Sequence, residues 1–327
     1  MTYRIIPAVL IPAALIASTG LRAAQDSGAV RAHIDSARRV AGNQWTSSVD
    51  LLCATQQQLV ESRVLGGPNA NNATGPFPEP VKVFDNLYFV GQRPVLTWAI
   101  TTRDGIILID AGARERVEDT LLAGMKKLGL NPADIRYVLI THEHVEHFGG
   151  AKYLQQRYPS LRVAMSAAAW DALERPGPKG EPQDGPARGL VLTEGTAITL
   201  GGASVMPVAI PGHTAGSLGF IVPVTDNGRP HVAGMFGSPV LMPSMTVPFD
   251  QYQKSIEHWG EWTRKMKVEA ELPNHPALGL VMDRMDMLRT RTAGQPHPFL
   301  VGQASYQNLV SAMSECAKAQ LARRAAA

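Results

Sequence analysis

Thr141-His142-Glu143-His144-Val145-Glu146-His147-Phe148-Gly149-Gly150 is the stretch on which the reading of this chain turns. The residues before it, 135–140 (IRYVLI), form a short apolar, β-branched run of the kind that makes a buried strand. His142 and His144 follow at i and i+2. In extended backbone two such side chains point the same way, so both imidazoles can reach one ion. Glu146 and His147 stand where the chain must turn towards Gly149-Gly150, where they can face a second ion. The following segment, AKYLQQRY, has helical spacing. Ligands on a loop between a strand and a helix suit a catalytic metal, because three protein ligands leave a position for water. Imidazole nitrogen with carboxylate oxygen suits zinc best, with iron or manganese as lesser options. The bland alternative is a solvated polar loop, which a lone histidine would favour but three with a carboxylate do not.

Six further histidines lie elsewhere: His33, His213, His231, His258, His275 and His297. His213 in IPGHTAGS follows the apolar run SVMPVAI, and His275 in ELPNHPAL follows VEAEL. Proline and glycine beside each place both on loops at strand ends. His33 and His258 fall in polar helical stretches and read as surface residues. His231 and His297 read as structural.

The pattern THxHxxH-x-GG, then PGHT, then NHP resembles the metallo-β-lactamase fold superfamily, most closely its subclass B3 and their periplasmic relatives. The resemblance runs from about Val81 to Cys316 and includes FDNLYFVG, WAITTRDGIILIDAG, SAAAWD and HPFLVG…SECA. It implies a four-layer αβ/βα sandwich with the site at one edge. It also implies that His142, His144 and His213 hold a first zinc, and Glu146, His147 and His275 a second. Asp110, ending the strand IILID, is by the same likeness a buried carboxylate that orients the metal loop. The implied chemistry is attack of a zinc-bound hydroxide on a lactam carbonyl.

Two departures mark this chain. The family motif has Asp where Glu146 stands, and the added methylene extends the carboxylate by ~1.5 Å. Misplacing a catalytic group by about 1 Å can lower a rate on the order of 10²-fold. The expectation is one or two zinc ions, with the second site depending on how Glu146 reaches it. Secondly, relatives that cleave thioesters or phosphodiesters carry a bridging Asp at a Gly-Asp where this chain has Gly234-Met235, in HVAGMFGSPV. No cysteine lies there either, which separates it from lactamases of the first subclass. Ser238 is the one nearby hydroxyl for a substrate carboxylate.

The chain has 327 residues, yet no linker divides it, and ligands at 142, 213 and 275 must converge, so one catalytic domain over 81–327 is expected. A net charge of +3 without a basic run gives no reason to expect nucleic acid. Residues 28–65 read as helical, up to Gly66-Gly67-Pro68. With the Gly-, Asn- and Pro-rich stretch 66–80 they form an N-terminal extension, 25–80. A second Pro/Gly-rich loop spans 175–188.

At the N-terminus Arg4 precedes an apolar stretch, Ile5 to Ala17, then small residues to Ala24. Residues 1–24 therefore read as a secretory signal peptide, with an uncleaved anchor as the alternative. A periplasmic or secreted protein with no stable membrane partner follows. There, Cys53 and Cys316, both on inward-facing helical stripes, suggest a disulfide; two buried thiols are the alternative. Three functions compete: a β-lactam hydrolase, a zinc hydrolase of another small ester, lactone or amide, and a non-catalytic metal-binding protein on the same fold. The partner in the first two is a small-molecule substrate; oligomeric state is not legible.

Overall fold

Ile106 to Ile109 are all buried, and they alternate: Ile107 and Ile109 enter one apolar cluster, Ile106 and Leu108 another. That is the two-residue period of a strand covered on both faces. The structure, a computed structural model, describes residues 26–55, 58–59, 79–91, 95–176, 183–240, 248–276 and 278–326. The expected signal segment, most of the 66–80 loop and residues 177–182 of the 175–188 loop lie outside the described residues.

Seven strands form the first sheet: β1 (Val81–Phe84), β2 (Leu87–Gly91), β3 (Thr97–Thr102), β4 (Gly105–Ile109), β5 (Ile135–Leu139), β6 (Arg162–Met165) and β7 (Leu190–Val191), in sequential order. Pairing is antiparallel from β1 to β4 and parallel from β4 to β7. The second sheet runs β12-β11-β10-β9-β8, from β8 (Ile198–Leu200), β9 (Ala203–Ala209), β10 (Leu218–Asp226), β11 (Arg229–Met235) and β12 (Ala270–Glu271). Here β8 to β11 are antiparallel, and β12 is parallel to β11.

Three apolar clusters separate four layers. Phe89, Trp98, Ile107 and Ile109 meet Phe220, Val222 and Met235 between the sheets. Val117, Leu121, Leu154 and Trp170 cover the outer face of the first sheet. Trp45, Val49, Ile256, Trp259, Val310 and Met313, from helices Gly28–Ala41, Thr46–Leu52, Phe249–Lys265 and Gln303–Ala325 with their connections, cover the second. This is the αβ/βα sandwich expected of the sequence.

Helices expected over 249–266, 279–290 and 304–323 occupy Phe249–Lys265, Val281–Thr290 and Gln303–Ala325. The stretch 28–65, expected to be helical, holds helices broken at Gly42, and its residues 56–57 and 60–65 lie outside the described residues. Gly42 takes φ +56°, its N–H bonds Arg38 O, and a second helix, Thr46–Leu52, ends before Cys53. A residue at positive φ stops a helix, and glycine adopts it without a Cβ penalty. Cys53 and Cys316 form a disulfide that ties this second helix to Gln303–Ala325, and Arg323 bonds both Cys53 O and the Asp26 carboxylate. No described helix is long and apolar enough to cross a membrane.

Strand polarity brings the loops of interest to one end. Asp110 follows β4 and Thr141 follows its parallel neighbour β5. In the second sheet β9, β11 and β12 run in the same sense, so the loops carrying His213, Ser238 and His275 all leave from one edge. Carboxyl ends of parallel strands are where open α/β sheets place their ligands.

Candidate metal centre

Asp110 is fully buried and holds φ +61° at the end of β4, a conformation that Asp tolerates better than most residues. The turn aims its carboxylate across to the neighbouring loop. Oδ1 accepts from Thr141 N at 2.8 Å, and the Thr141 hydroxyl lies 3.0 Å from both oxygens. Oδ2 accepts from His147 Nδ1 at 2.7 Å. The Thr141 oxygen in turn lies 3.1 Å from His142 Nδ1. With its proton given to Asp110, the threonine can accept one from that ring.

The consequence is a choice of tautomer. His142, His147 and His213 each have Nδ1 against an acceptor, for His213 the Val240 carbonyl at 2.6 Å. A proton on each Nδ1 leaves each Nε2 with a free lone pair, the arrangement a metal ligand needs. Two of those nitrogens, His142 Nε2 and His147 Nε2, are buried without a hydrogen-bond partner. Buried polar atoms in native proteins are rarely left so.

One group of three ligand-type side chains converges among the described residues: His142, His144 and His213, with one donor atom from each all within 4.8 Å of one another. His213 Nε2 lies 3.0 Å from His144 Nδ1. Nitrogen donors around a tetrahedral zinc lie about 3.3 Å apart, given Zn–N bonds of ~2.0–2.1 Å. Burial and the neighbouring imidazoles push the His142 pKa far below its ordinary value and that of His213 down to about 3. Burial lowers His144 as well, against the opposing pull of Glu146. Neutral rings with inward lone pairs and unpartnered nitrogens fit a divalent cation of the zinc type.

Glu146, His147 and His275 are disposed differently. The His147 and His275 rings come within 5.2 Å, centroid to centroid. The Glu146 Oε1 lies 3.9 Å from His144 Nδ1, so this longer carboxylate reaches towards the first trio. Burial raises its pKa, but His147 and His144 prevail and hold it below the usual glutamate value. Ser238 is buried, with its hydroxyl lacking a partner, rather than displayed at an open surface.

The remaining histidines serve packing. His33 bonds Glu315, His231 bonds Glu269 and His258 bonds Glu194. His297 stacks on Phe84 and bonds Val83 O. Three contributors escaped the sequence reading: Thr141, the Val240 carbonyl and the pair Glu143–Thr214, whose carboxylate and hydroxyl meet at 2.8 Å. Thr141 and Glu143 stand inside the motif, which was a signal; the Val240 contact spans 27 residues and had none.

Residues 90–226 match the model of the metallo-beta-lactamase superfamily. Among solved structures, BJP-1, a subclass B3 metallo-beta-lactamase of Bradyrhizobium japonicum, is similar at 26% identity and a TM-score of 0.63, covering 77% of this chain and 97% of that one. FEZ-1 metallo-beta-lactamase from Legionella gormanii aligns with a TM-score of 0.66 at 22% identity, covering 77% and 100%. Among curated proteins, hydroxyacylglutathione hydrolases of Vibrio cholerae and Xanthomonas axonopodis pv. citri are each 32% identical over 125 residues, 38% of this chain. The chain spans about two fifths, 41%, of the length of those curated relatives.

Proposed function

We propose that this chain, a member of the metallo-β-lactamase fold superfamily and a metallo-hydrolase, opens β-lactam rings using zinc held by His142, His144 and His213. The observation that carries the metal is the set of three imidazoles whose donor atoms converge while His142 Nε2 stays buried and unpartnered. The β-lactam reading is supported by structural likeness to BJP-1 over 97% of that chain, at 26% identity. The absence of a carboxylate at Gly234-Met235 supports it too.

When bound there, zinc supplies Lewis acidity, which brings the pKa of water to about 7 and polarises a carbonyl. The chain does the rest. Thr141 and Val240 hold the His142 and His213 rings in one tautomer. Asp110 does the same for His147, which with Glu146 and His275 is the set for a second ion. Glu146 Oε1, beside His144, accepts a hydrogen bond from the attacking water and sets its direction. The Cys53–Cys316 disulfide suits an oxidising compartment such as the periplasm.

A second reading rests on the hydroxyacylglutathione hydrolases: hydrolysis of another small ester, lactone, amide or thioester at the same centre. One experiment separates the two. Zinc per chain is measured on the purified protein, and hydrolysis of a cephalosporin, a carbapenem and a panel of lactones and thioesters is followed with and without chelator. Chelator-sensitive lactam turnover upholds the first reading. Turnover confined to the ester panel replaces it with the second. Stoichiometric zinc without turnover on either panel would make this a binding protein on an enzyme fold.

A further inference from the structure

The three converging histidines come from two loops on two different sheets. His142 and His144 follow β5; His213 lies between β9 and β10. Coordination demands that such loops keep register to about half an ångström. One backbone bond, Leu218 N to Thr141 O at 2.8 Å, fastens the base of the two loops. It lies beyond the ligands and does not fix the tip that carries His213.

Glu143 spans that gap. It stands between the two histidines in sequence, on the bend that follows β5, and its side chain reaches the His213 loop. Its Oε2 accepts from the Thr214 hydroxyl at 2.8 Å, and Thr214 is the residue after His213. The hydroxyl is itself held. Ser217 Oγ lies 3.0 Å from Thr214 Oγ1 and accepts from Thr214 N at 3.1 Å. Every proton in this chain has one place to go: Thr214 N–H to Ser217, the Ser217 hydroxyl to Thr214, the Thr214 hydroxyl to Glu143. Thr214 and Ser217 are both buried.

The packing beside the carboxylate is close. A Cβ on Gly216 would stand 2.7 Å from Glu143 Oε2, 2.6 Å from Ala169 N and 2.7 Å from Ala169 Cβ. The glycine lets the carboxylate, the histidine loop and the helix Ala167–Leu173 meet. Ser166, which caps that helix by accepting from Ala169 N, donates its hydroxyl to Gly216 O at 2.7 Å. The His213 loop is thus pinned from one side by the helix cap and from the other by Glu143.

We propose that Glu143 is a positioning residue of the metal centre: through Thr214 it sets where His213 stands relative to His142 and His144. The inference rests on the metal reading above, not on the substrate. Its test is therefore metal affinity. Co²⁺ is titrated into metal-free protein against a competing chelator, and the visible spectrum of the bound ion reports ligand geometry. Glu143→Ala and the near-isosteric Thr214→Val are each expected to weaken Co²⁺ binding about 10–100-fold, the usual effect of removing a group that orients a ligand. Both should alter the spectrum. The double variant should be no worse than either single one, because both remove the same bond. Glu143→Gln and Thr214→Ser, which keep an acceptor and a donor, should return to within about threefold of the native affinity. Denaturant midpoints of the metal-free variants identify any that fail to fold, and Thr214→Val carries the test if Glu143→Ala is among them. Native-like affinity and spectrum in Thr214→Val, or losses that multiply in the double variant, would overturn the proposal. A native chain that binds no Co²⁺ would instead remove the metal reading itself, and this brace with it.

Discussion

Asp110→Asn replaces one carboxylate oxygen by an amide NH₂ in a fully buried position where all the neighbours offer hydrogens. In the native protein Oδ1 takes the Thr141 N–H at 2.8 Å and Oδ2 takes His147 Nδ1–H at 2.7 Å. The asparagine can satisfy only one of them. With its oxygen towards Thr141 N, the NH₂ faces His147 Nδ1 and forces that nitrogen to become an acceptor. The ring proton moves to Nε2, which then presents a hydrogen where a cation needs a lone pair. With its oxygen towards His147, two N–H groups oppose each other in the interior. Either choice forfeits a hydrogen bond to a charged group, about 1.5–3 kcal/mol. In metal terms the loss of such an orienting partner lowers affinity about 10–100-fold, or roughly 1.4–2.7 kcal/mol at 1.4 kcal/mol per decade. The two figures agree in size, because one bond does both jobs. Denaturant unfolding of the metal-free protein measures the first, and chelator-competition titration with Zn²⁺ the second. An Asn variant that unfolds at the native midpoint and binds zinc within twofold of the native value would show that Asp110 neither sets the tautomer nor orders the loop.

Glu146→Asp should raise lactam hydrolysis if the scaffold is otherwise competent, since it withdraws the carboxylate from His144 by one methylene; an unchanged or lower kcat/KM would mean that the glutamate serves a different reaction. Cys53→Ser with Cys316→Ser opens a cross-link between residues 263 apart, worth about 5–6 kcal/mol in the chain-entropy treatment. Equilibrium denaturation should show a loss approaching that figure, and a loss below 1 kcal/mol would mean that the helices hold without the bond. Arg291 bonds both oxygens of Asp226 at 2.8 Å and holds its pKa below the ordinary carboxylate value. The folded pKa is depressed, so the stability it contributes is present above the ordinary value near 3.8 and lost as pH falls through the folded one. The native protein should therefore exceed Asp226→Asn in stability at pH 7 and converge with it in strong acid; a gap that does not change with pH would contradict this.

Much of the molecule was legible from the chain alone because the signals are local. The run GIILI is apolar at every position, flanked by the turn at Asp104 and by Asp110, and it is a strand covered on both faces. His142 and His144 stand two residues apart on the one loop after β5, and their rings come within 4.8 Å, centroid to centroid. The inward stripes on which Cys53 and Cys316 lie are likewise local. Helices ended within a few residues of expectation where a single period ran on, and the exception was the stretch interrupted at Gly42, which takes φ +56°.

What the tertiary structure alone decided is which ligands meet. His213 joins His144 across 69 residues, and His142 with it, because β9 and β5 end at the same edge of two facing sheets, and strand direction is a property of the whole sheet. The partner of Glu143 is equally non-local: Thr214, 71 residues on, stands beside it. For Glu146 the sequence supplied the extra methylene but not its direction. The residue type decides how far that side chain can reach, and the neighbouring rings decide that it reaches towards His144. Sequence set the chemistry of the donors; only the packing of two sheets set their geometry, because distances between loops are sums over contacts that no local pattern contains.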